Sequence, residues 1–335
     1  MKIIKKMYMQ KKQYNIYSID SRNASSKAKK DVALLLANEG FEKLYKPSKY
    51  RIIRIVQQFF SILSLKKNTV LFIQYQSNIL FFYKLLSKTK KCKKIAIIHD
   101  VESLRGNVTV EAEINLLNEF DTIISHNQKM TNYLIENGVR KSIYNLDVFD
   151  YLIDSNMPIS SNWEKTQIFF AGNLEKSIFI KKLYKIQTIK FNLYGSRFEG
   201  LDDLCLQENI KYYGSFPAEE LISHIDGGWG LVWDGDSLDT CTGTVGRYMR
   251  YNNPHKVSLC IISERPVIIW REAAMANYIQ KKGLGICVDR LTDLPDVINK
   301  ITEVEYNQIL NNVKIEKKRL ANGESLKTVL SLIND

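Results

Sequence analysis

Long apolar runs are missing from this sequence. Hydrophobic residues make up 45% of its 335 residues, but lysine or polar residues interrupt every apolar stretch before it approaches the roughly 20 residues that a membrane-spanning helix needs. The first residues are basic and lack an apolar core of signal-peptide length. These absences predict a cytoplasmic protein.

Cysteine and histidine are scarce as well. The five cysteines are odd in number, widely spaced and never arranged as Cys-x-x-Cys, and the four histidines form no metal motif. Such a pattern argues against a disulfide framework and against a structural zinc site. No resident metal or other cofactor is expected.

The common nucleotide-binding and hydrolase motifs are also absent. No Gly-x-Gly-x-x-Gly follows the first predicted strand, and neither a Gly-x-x-x-x-Gly-Lys-Ser/Thr loop nor a Gly-x-Ser-x-Gly elbow occurs. The absence of these motifs argues against a dinucleotide-dependent oxidoreductase, a P-loop NTPase and an α/β-hydrolase.

Positive charge is concentrated in the first part of the chain. The net charge is +12, and residues 1–99 alone contain 22 Lys or Arg against 4 Asp or Glu. Such a field suits nucleic acid, an anionic bilayer or an acidic substrate, and it also fits a merely solvated lysine-rich surface. The helix-like pattern at 50–67, where Arg51 and Arg54 precede several large apolar residues, favours a membrane surface. No nucleic-acid-binding module is present, so no nucleic-acid partner is expected.

Short, continuous apolar runs alternate with helix-like stretches along the whole chain, which predicts parallel sheets covered by helices on both faces. The predicted boundaries are 1–160 for an N-terminal domain and 161–312 for a C-terminal domain, with helices at 313–335 packing back on the first. The predicted fold class is α/β, with two Rossmann-like doubly wound domains facing a central cleft. Predicted strands lie at 15–19, 41–45, 69–75, 94–100, 121–126 and 142–148, and then at 168–171, 191–194, 211–216, 230–233, 266–270 and 285–288.

Polar residues follow several of these strands. Ligands of doubly wound sheets bind at the carboxyl ends of the strands, so these residues are candidates for the site. Each also has an ordinary alternative: Gly-Asn and Asp-Gly-Asp are common turn sequences, and two carboxylates without further ligands are weak evidence for Mg²⁺. The candidates at strand ends are Asn23, Ser25, His99, Asp100, Gly172, Asn173, Lys176, Asp234 and Asp236.

The segment 251–270 reads as a polar loop, a helix start and a buried strand. Pro254 suits a first helical turn, where its missing N–H is no loss, and Lys256 is close enough to reach an anion held at that helix start. A diphosphate fits such a place. An ordinary loop–helix–strand connection with a solvated lysine fits the same spacing.

Several ordered motifs resemble one family of bacterial GT-B glycosyltransferases. It includes β-1,6-galactofuranosyltransferases of surface polysaccharide synthesis and glucosyltransferases that extend GlcNAc on serine-rich-repeat adhesins. The resemblance spans nearly the whole chain from about Ser21. The motifs are Ile98-His-Asp-Val-Glu-Ser-Leu-Arg105, Ile124-Ser-His-Asn-Gln-Lys-Met-Thr131, Phe170-Ala-Gly-Asn-Leu174, Leu231-Val-Trp-Asp-Gly-Asp-Ser-Leu-Asp-Thr-Cys-Thr-Gly243, Tyr251-Asn-Asn-Pro-His-Lys-Val-Ser-Leu259 and Arg265-Pro-Val-Ile-Ile-Trp270.

The resemblance implies that the first domain, 1–160, is the acceptor side and that the second, 161–312, binds the nucleotide sugar, with a site for UDP. Asn252, Asn253, His255 and Lys256 would lie at its ribose and diphosphate, and Tyr213 at its uracil, while the Asn23–Ser25 loop would approach the phosphates. Lys176 stands where relatives often have Arg, which keeps the charge and loses the bidentate fork. Leu259 replaces a Glu that binds ribose in the broader GT-B group, so the ribose contact has to come from elsewhere.

The expected reaction is transfer of a hexose, galactofuranose from UDP-galactofuranose first, to a glycan acceptor of cell-surface polysaccharides such as capsule or O-antigen. Asp100 is the first candidate for the base and His99 the second. Expected partners are a lipid-diphosphate-linked acceptor, the inner face of an anionic membrane and further copies of the chain. Two alternatives stay open: a UDP-glucose-dependent glucosyltransferase acting on a GlcNAc-modified glycoprotein, and a noncatalytic nucleotide-sugar-binding subunit.

Overall fold

The chain forms two compact units. The computed structural model describes residues 10–14, 24–46, 48–75, 84–86, 92–154, 158–160 and 164–334. The first unit takes the described residues of Met1–Ser18, Val32–Ser125 and Thr131–Asn145, and the second takes those of Ile19–Asp31, His126–Met130 and Leu146–Asp335. The domain boundaries at 160 and 312, with the docking of the last helices on the first domain, stay predictions.

The first unit contains a six-stranded parallel sheet in the order β2-β1-β3-β4-β5-β6. Its inner strands are apolar and buried along most of their length, as a sheet covered on both faces requires. The strands are β1 (Gln10–Tyr14), β2 (Glu42–Lys43), β3 (Thr69–Tyr75), β4 (Cys92–Ile98), β5 (Thr122–Ser125) and β6 (Ser142–Asn145).

The second unit contains another six-stranded parallel sheet, in the order β12-β11-β10-β7-β8-β9. Strand order reverses between β7 and β10, and such a switch point leaves room for a ligand at the strands' carboxyl ends. The strands are β7 (Gln167–Gly172), β8 (Lys190–Gly195), β9 (Ile210–Gly214), β10 (Trp229–Val232), β11 (Val267–Trp270) and β12 (Gly285–Val288).

Helices connect most of the strands. The α-helices whose bounds lie within the described residues are α1 (Ala24–Asn38), α2 (Arg51–Leu63), α3 (Val110–Leu117), α4 (Gln128–Glu136), α5 (Leu201–Leu204), α6 (Ala218–His224), α7 (Gly243–Tyr248), α8 (His255–Ile262), α9 (Ala276–Lys282), α10 (Leu294–Lys300), α11 (Glu303–Ala321) and α12 (Glu324–Asn334). Two 3-10 helices cover Ile178–Lys185 and Leu291–Asp293. Within the described ranges, no helix combines the length and apolar character that crossing a membrane requires.

Large aromatic side chains fill the core of the second sheet. Trp229, Trp233 and Trp270 are at most 1% exposed, and Phe169 and Phe170 lie beside them. The Trp229 indole N–H donates to the Lys165 carbonyl, 3.1 Å away, so the buried ring leaves its polar atom satisfied. These aromatic residues belong to one continuous hydrophobic core of the second unit.

The predicted alternation of strands and helices is confirmed for most of the described chain. The predicted strand 69–75 coincides with β3, and 285–288 coincides with β12. The predicted strand 15–19 lies outside the described residues. The strand β1 was missed because its sequence, Gln-Lys-Lys-Gln-Tyr, is polar.

Candidate functional site

A cavity of about 540 Å³ opens within the second unit at the carboxyl ends of its central strands. Residues just at or after the ends of β7, β8 and β9 line it together with the first residues of α8. The lining residues are Tyr151, Ala171, Gly172, Asn173, Tyr194, Gly195, Ser196, Ser215, Phe216, Ala218, Leu221, His255, Lys256 and Leu259. The cavity therefore lies where a doubly wound sheet places its ligand.

Lys256 supplies positive charge to the cavity wall. Its ammonium nitrogen lies 2.9 and 3.0 Å from the two carboxylate oxygens of Asp234, and 4.6 Å from the centroid of the Phe170 ring. The Lys256 and Asp234 side chains are only 18% and 17% exposed. Because Asp234 follows β10 and Lys256 begins α8, this pair places a partly desolvated cation beside a helix N-terminus, an arrangement that suits a phosphate group.

The start of α8 differs slightly from the prediction. Pro254 is the N-cap, with φ −61° and ψ 128°, and does not occupy the first helical turn. Its extended conformation makes His255 and Lys256 the first helical residues. Two of the predicted donor-binding residues therefore hold the positions where helix N–H groups point outward.

Two glycines bring the ends of β7 and β8 close together. A Cβ on Gly195, which has φ +150°, would lie 2.0 Å from the carbonyl oxygen of Gly172, and a Cβ on Gly172 would lie 3.1 Å from Cε of Lys256. A side chain at either position would displace the cavity floor or the lysine. Only glycine satisfies both the conformation and the space at position 195.

Gly195→Ala is expected to lower the free energy of unfolding by about 3–5 kcal/mol, since positive-φ strain and overlap with Gly172 add together. Gly200→Ala is the matched control, because Gly200 also has positive φ (+84°) but its Cβ would meet nothing within 4 Å. Its expected loss is about 1 kcal/mol. Chemical denaturation of both variants checks this, and equal losses would show that overlap at the strand ends is unimportant.

His255 is held by two aromatic rings. Its imidazole stacks on Tyr151 at 4.9 Å and 17°, and meets Phe149 edge-on at 6.2 Å. Burial, followed by the nearby charge of Lys27, lowers the pKa of His255 to about 3. The imidazole is therefore neutral at pH 7. Its Nε2 is buried without a hydrogen-bond partner among the described residues, so this polar atom is unsatisfied.

The low pKa of His255 makes its contribution to stability depend on pH. Between pH 6.5 and about 3 the unfolded chain binds this proton and the folded chain does not, so the contribution is lost as the pH falls through this window. We expect the difference in unfolding free energy between the wild type and His255→Gln to shrink on going from pH 7 to pH 5, by up to about 1.4 kcal/mol per pH unit. Urea titrations at several pH values measure it. A difference independent of pH would contradict a buried neutral imidazole.

Asn253 fixes the loop before α8. Its side-chain NH₂ donates to the carbonyls of His126 (2.6 Å) and Asp147 (3.0 Å), and its Oδ1 accepts from Asn127 Nδ2 (2.7 Å). Its backbone N–H donates to Nδ1 of His126 at 2.9 Å. With its amide engaged on both sides, Asn253 has the geometry of a positioning residue. Asn252 is half-buried, and its Oδ1 has no partner among the described residues.

The Asp-Gly-Asp turn after β10 is tied down by its own neighbours. Asp236 accepts a hydrogen bond from the Thr242 hydroxyl, and its backbone carbonyl accepts from Lys182 at 2.7 Å. Gly235 has φ +108°, where a Cβ would lie 2.6 Å from the Thr242 carbonyl oxygen. In the part of the chain that the structure describes, no group of three or more metal-ligating side chains occurs. Metal independence stays a prediction.

Of the predicted donor-binding residues, Gly172, Asn173, His255 and Lys256 line the cavity. Asn173 Oδ1 accepts from the backbone N–H of Lys176 at 3.1 Å and so closes the turn after β7, whereas the Lys176 side chain is exposed. Tyr213 lies outside the lining and stacks on Tyr194 at 5.0 Å. Asn23 lies outside the described residues, and Ser25 is in the first turn of α1 with an undescribed side chain.

A buried ion pair supports the Tyr151 ring. Lys27 Nζ lies 2.6 Å from Asp31 Oδ2, 2.7 Å from the Leu152 carbonyl and 4.6 Å from the Tyr151 centroid. Burial lowers the pKa of Lys27 and raises that of Asp31 to about 6, so desolvation outweighs the mutual attraction. No prediction from the sequence included this pair, although its two residues are four positions apart on α1, a spacing that brings side chains together.

In the first unit, His99 and Asp100 follow β4 in different environments. His99 is buried, and its Nε2 lies 2.7 Å from Gln74 Oε1. The Asp100 side chain is 26% exposed, and its carboxylate lies 3.0 Å from Arg105. Asp100 is thus the more accessible of the two candidate bases, which stay predictions.

Glu113 positions the loop that follows Asp100. This buried carboxylate accepts from the backbone N–H groups of Glu102 (3.0 Å) and Ser103 (2.8 Å) and from the Tyr75 hydroxyl (3.1 Å). Glu113 was not among the residues predicted from the sequence. Its only sequence signal was an acidic residue in the first turn of α3, a position that helices favour in general.

Two family profiles cover most of the chain. The one described as "Glucosyltransferase 3-like, N-terminal domain" matches residues 13–148, and the one described as "Glucosyltransferase 3-like, C-terminal domain" matches residues 168–333. The chain belongs to this glucosyltransferase 3-like family. The family suspected from the sequence motifs is thereby confirmed.

Curated relatives agree with this assignment. The chain is 35% identical over 260 residues to "Beta-1,6-galactofuranosyltransferase WbbI" of Escherichia coli (strain K12), covering 76% of this chain and 74% of the relative. It is 23% identical over 330 residues to "Glucosyltransferase 3" of Streptococcus gordonii, covering 94% and 96%. The protein is accordingly a glycosyltransferase.

Solved structures show the same fold. Sucrose-phosphate synthase from Thermosynechococcus elongatus matches with a TM-score of 0.55 at 13% identity, over 79% of this chain and 72% of that one. Trehalose-6-phosphate synthase OtsA matches with a TM-score of 0.55 at 12% identity, over 84% and 76%. The predicted GT-B class, with two Rossmann-like parallel sheets, is confirmed.

Proposed function

We propose that this glycosyltransferase transfers galactofuranose from UDP-galactofuranose to a glycan acceptor in cell-surface polysaccharide synthesis. The observation that carries the donor assignment is Lys256, held by Asp234 at the wall of the strand-end cavity. The 35% identity to a protein named as a galactofuranosyltransferase supports the choice of sugar.

In this proposal an acceptor hydroxyl attacks the anomeric carbon of the donor. A new carbon–oxygen bond forms, the bond from the anomeric carbon to the β-phosphate oxygen breaks, and UDP leaves with the electron pair. Lys256 and the N-terminus of α8 stabilise the charge on the departing diphosphate without a metal ion. Asp100 accepts the proton of the attacking hydroxyl.

The proposed setting is the cytoplasmic face of the cell membrane, where the acceptor is a glycan on a lipid diphosphate. The basic first hundred residues support this setting, since they would be attracted to an anionic leaflet and to a diphosphate. Capsule and O-antigen are the classes of product that we propose. Association of several copies of the chain is also part of the proposal.

A donor panel tests the proposed sugar. UDP release and thermal shift are measured with UDP-galactofuranose, UDP-galactopyranose, UDP-glucose and UDP-GlcNAc, each with and without acceptor glycans. We expect the largest acceptor-dependent UDP release with UDP-galactofuranose. Preference for another donor would contradict the proposed sugar but not the UDP site.

A glucosyltransferase is the second candidate, favoured by the family description and by the relative from Streptococcus gordonii. The glucosyltransferase would be established if UDP-glucose were the one donor of the panel to release UDP, and if this release required a GlcNAc-modified glycoprotein as acceptor. A noncatalytic subunit would be stabilised by UDP but would release none with any acceptor.

A further inference from the structure

Helix α2 presents an apolar face to solvent. Seven of its residues are large, apolar and exposed, whereas only Gln58 and Ile62 among its described side chains are buried. The exposed ones are Ile52 (76%), Ile53 (49%), Ile55 (42%), Val56 (47%), Phe59 (40%), Phe60 (64%) and Leu63 (54%). A helix on a soluble protein normally shows the opposite arrangement, with its polar side outward.

Polar contacts on the inner side hold the helix in this orientation. The buried Gln58 amide donates to the Tyr45 hydroxyl at 2.7 Å, and Gln57 Oε1 accepts from the Ser48 backbone N–H at 3.0 Å. Rotation of the helix to bury its apolar face would break both contacts. The outward apolar face is therefore a property of the folded unit.

The surrounding sequence carries only positive charge. Between residues 43 and 99 there are 13 Lys or Arg and no Asp or Glu. Basic residues flank α2 on both sides, with Lys46 and Lys49 before it and Lys66 and Lys67 after it, and Arg54 lies within it. Apolar residues bordered by cations are the composition of helices that lie in the headgroup region of an anionic bilayer.

We propose that the exposed apolar face of α2 inserts into the surface of an anionic lipid bilayer. A second copy of the chain would fit this face less well. Pairing two such faces would bring the basic residues of both copies together, and residues 43–99 contain no Asp or Glu to neutralise them. At 13 residues α2 is too short to span a bilayer, so it lies in the interface. This inference rests on the proposed function, because it identifies the helix face that would contact the membrane there.

Vesicle flotation of the full chain tests this inference. The probes are phosphatidylcholine vesicles with and without phosphatidylglycerol, at low and high salt. The wild type is expected to float with the anionic vesicles, and less so at high salt. Ile52→Ser combined with Phe60→Ser is expected to lower the partition coefficient tenfold or more. Val304→Ser combined with Ile315→Ser is the control, because these residues of α11 are also highly exposed (79% and 61%).

Two further measurements separate the outcomes. Without vesicles, circular dichroism and UDP release should be the same for both double variants as for the wild type. UDP release therefore tests the donor assignment, and vesicle binding separately tests this inference. Equal vesicle binding by wild type and the α2 variant, or none by either, would overturn the inference. So would a dimer in sedimentation velocity that the α2 variant abolishes while vesicle binding is absent.

Discussion

Lys256→Met should lower turnover of the UDP-sugar about 100-fold or more. Removing a preorganised donor that faces charge developing in a transition state typically costs a factor of 10² to 10³. In the proposed mechanism Lys256 is such a donor; its ammonium is held 2.9 Å from Asp234, and only 18% of its side chain is exposed. Steady-state UDP release and titration with UDP measure the effects on kcat and on donor affinity separately.

The controls for this variant distinguish lost charge from lost structure. Lys281→Met removes an exposed lysine in the last turn of α9 and should leave turnover within a factor of two of the wild type. Lys256→Met combined with Asp234→Asn avoids leaving an unpaired carboxylate and should be as inactive as the single variant while unfolding closer to the wild type. If Lys256→Met retained a third of wild-type turnover, the diphosphate would have to be held elsewhere.

Asp100→Asn should lower turnover by a factor of about 10² to 10⁴, the range that a general base contributes. The amide keeps the size of the side chain and its position beside Arg105, but it does not accept a proton. Because Asp100 belongs to the first unit and the donor cavity to the second, affinity for UDP should stay unchanged. Turnover and UDP titration on the same preparation measure both.

His99→Gln is the matched test for Asp100→Asn. His99 is buried with its Nε2 on Gln74, so its replacement should lower thermal stability more than turnover. The two assignments would be reversed if His99→Gln abolished turnover while Asp100→Asn remained active. A wild-type rate that did not depend on pH on the acid side would argue against either base.

The continuous apolar strands could be predicted from sequence because each is a local pattern. β3 and β12 match their predictions residue for residue, since a buried strand in a doubly wound sheet needs apolar side chains on both faces. β1 carries lysines and glutamines instead, and its first residues are exposed, so no apolar run marked it. All five of its residues pair with β3, which lies far along the chain, so a local sequence pattern does not reveal this strand.

The same distinction applies to the site. Gly172, Asn173 and Lys256 could be placed at the cavity because they follow a strand or lie at a helix start, positions that topology sends to one edge of the sheet, whereas His255 was named from the family resemblance. The roles of Asn253 and Glu113 depend on partners far along the chain or on a loop conformation, such as the contact between Asn253 and His126 across 127 positions. Spacing in the sequence contains no trace of such contacts.

In the proposed function, UDP binds at the strand-end cavity of the second unit. Hydrogen–deuterium exchange with and without saturating UDP tests it most directly, because it reports which backbone N–H groups a ligand protects. We predict that UDP slows exchange at 172–176, from the last residue of β7 onward, and at 255–258, the start of α8. Unchanged exchange at both segments in protein that demonstrably binds UDP would contradict the claim.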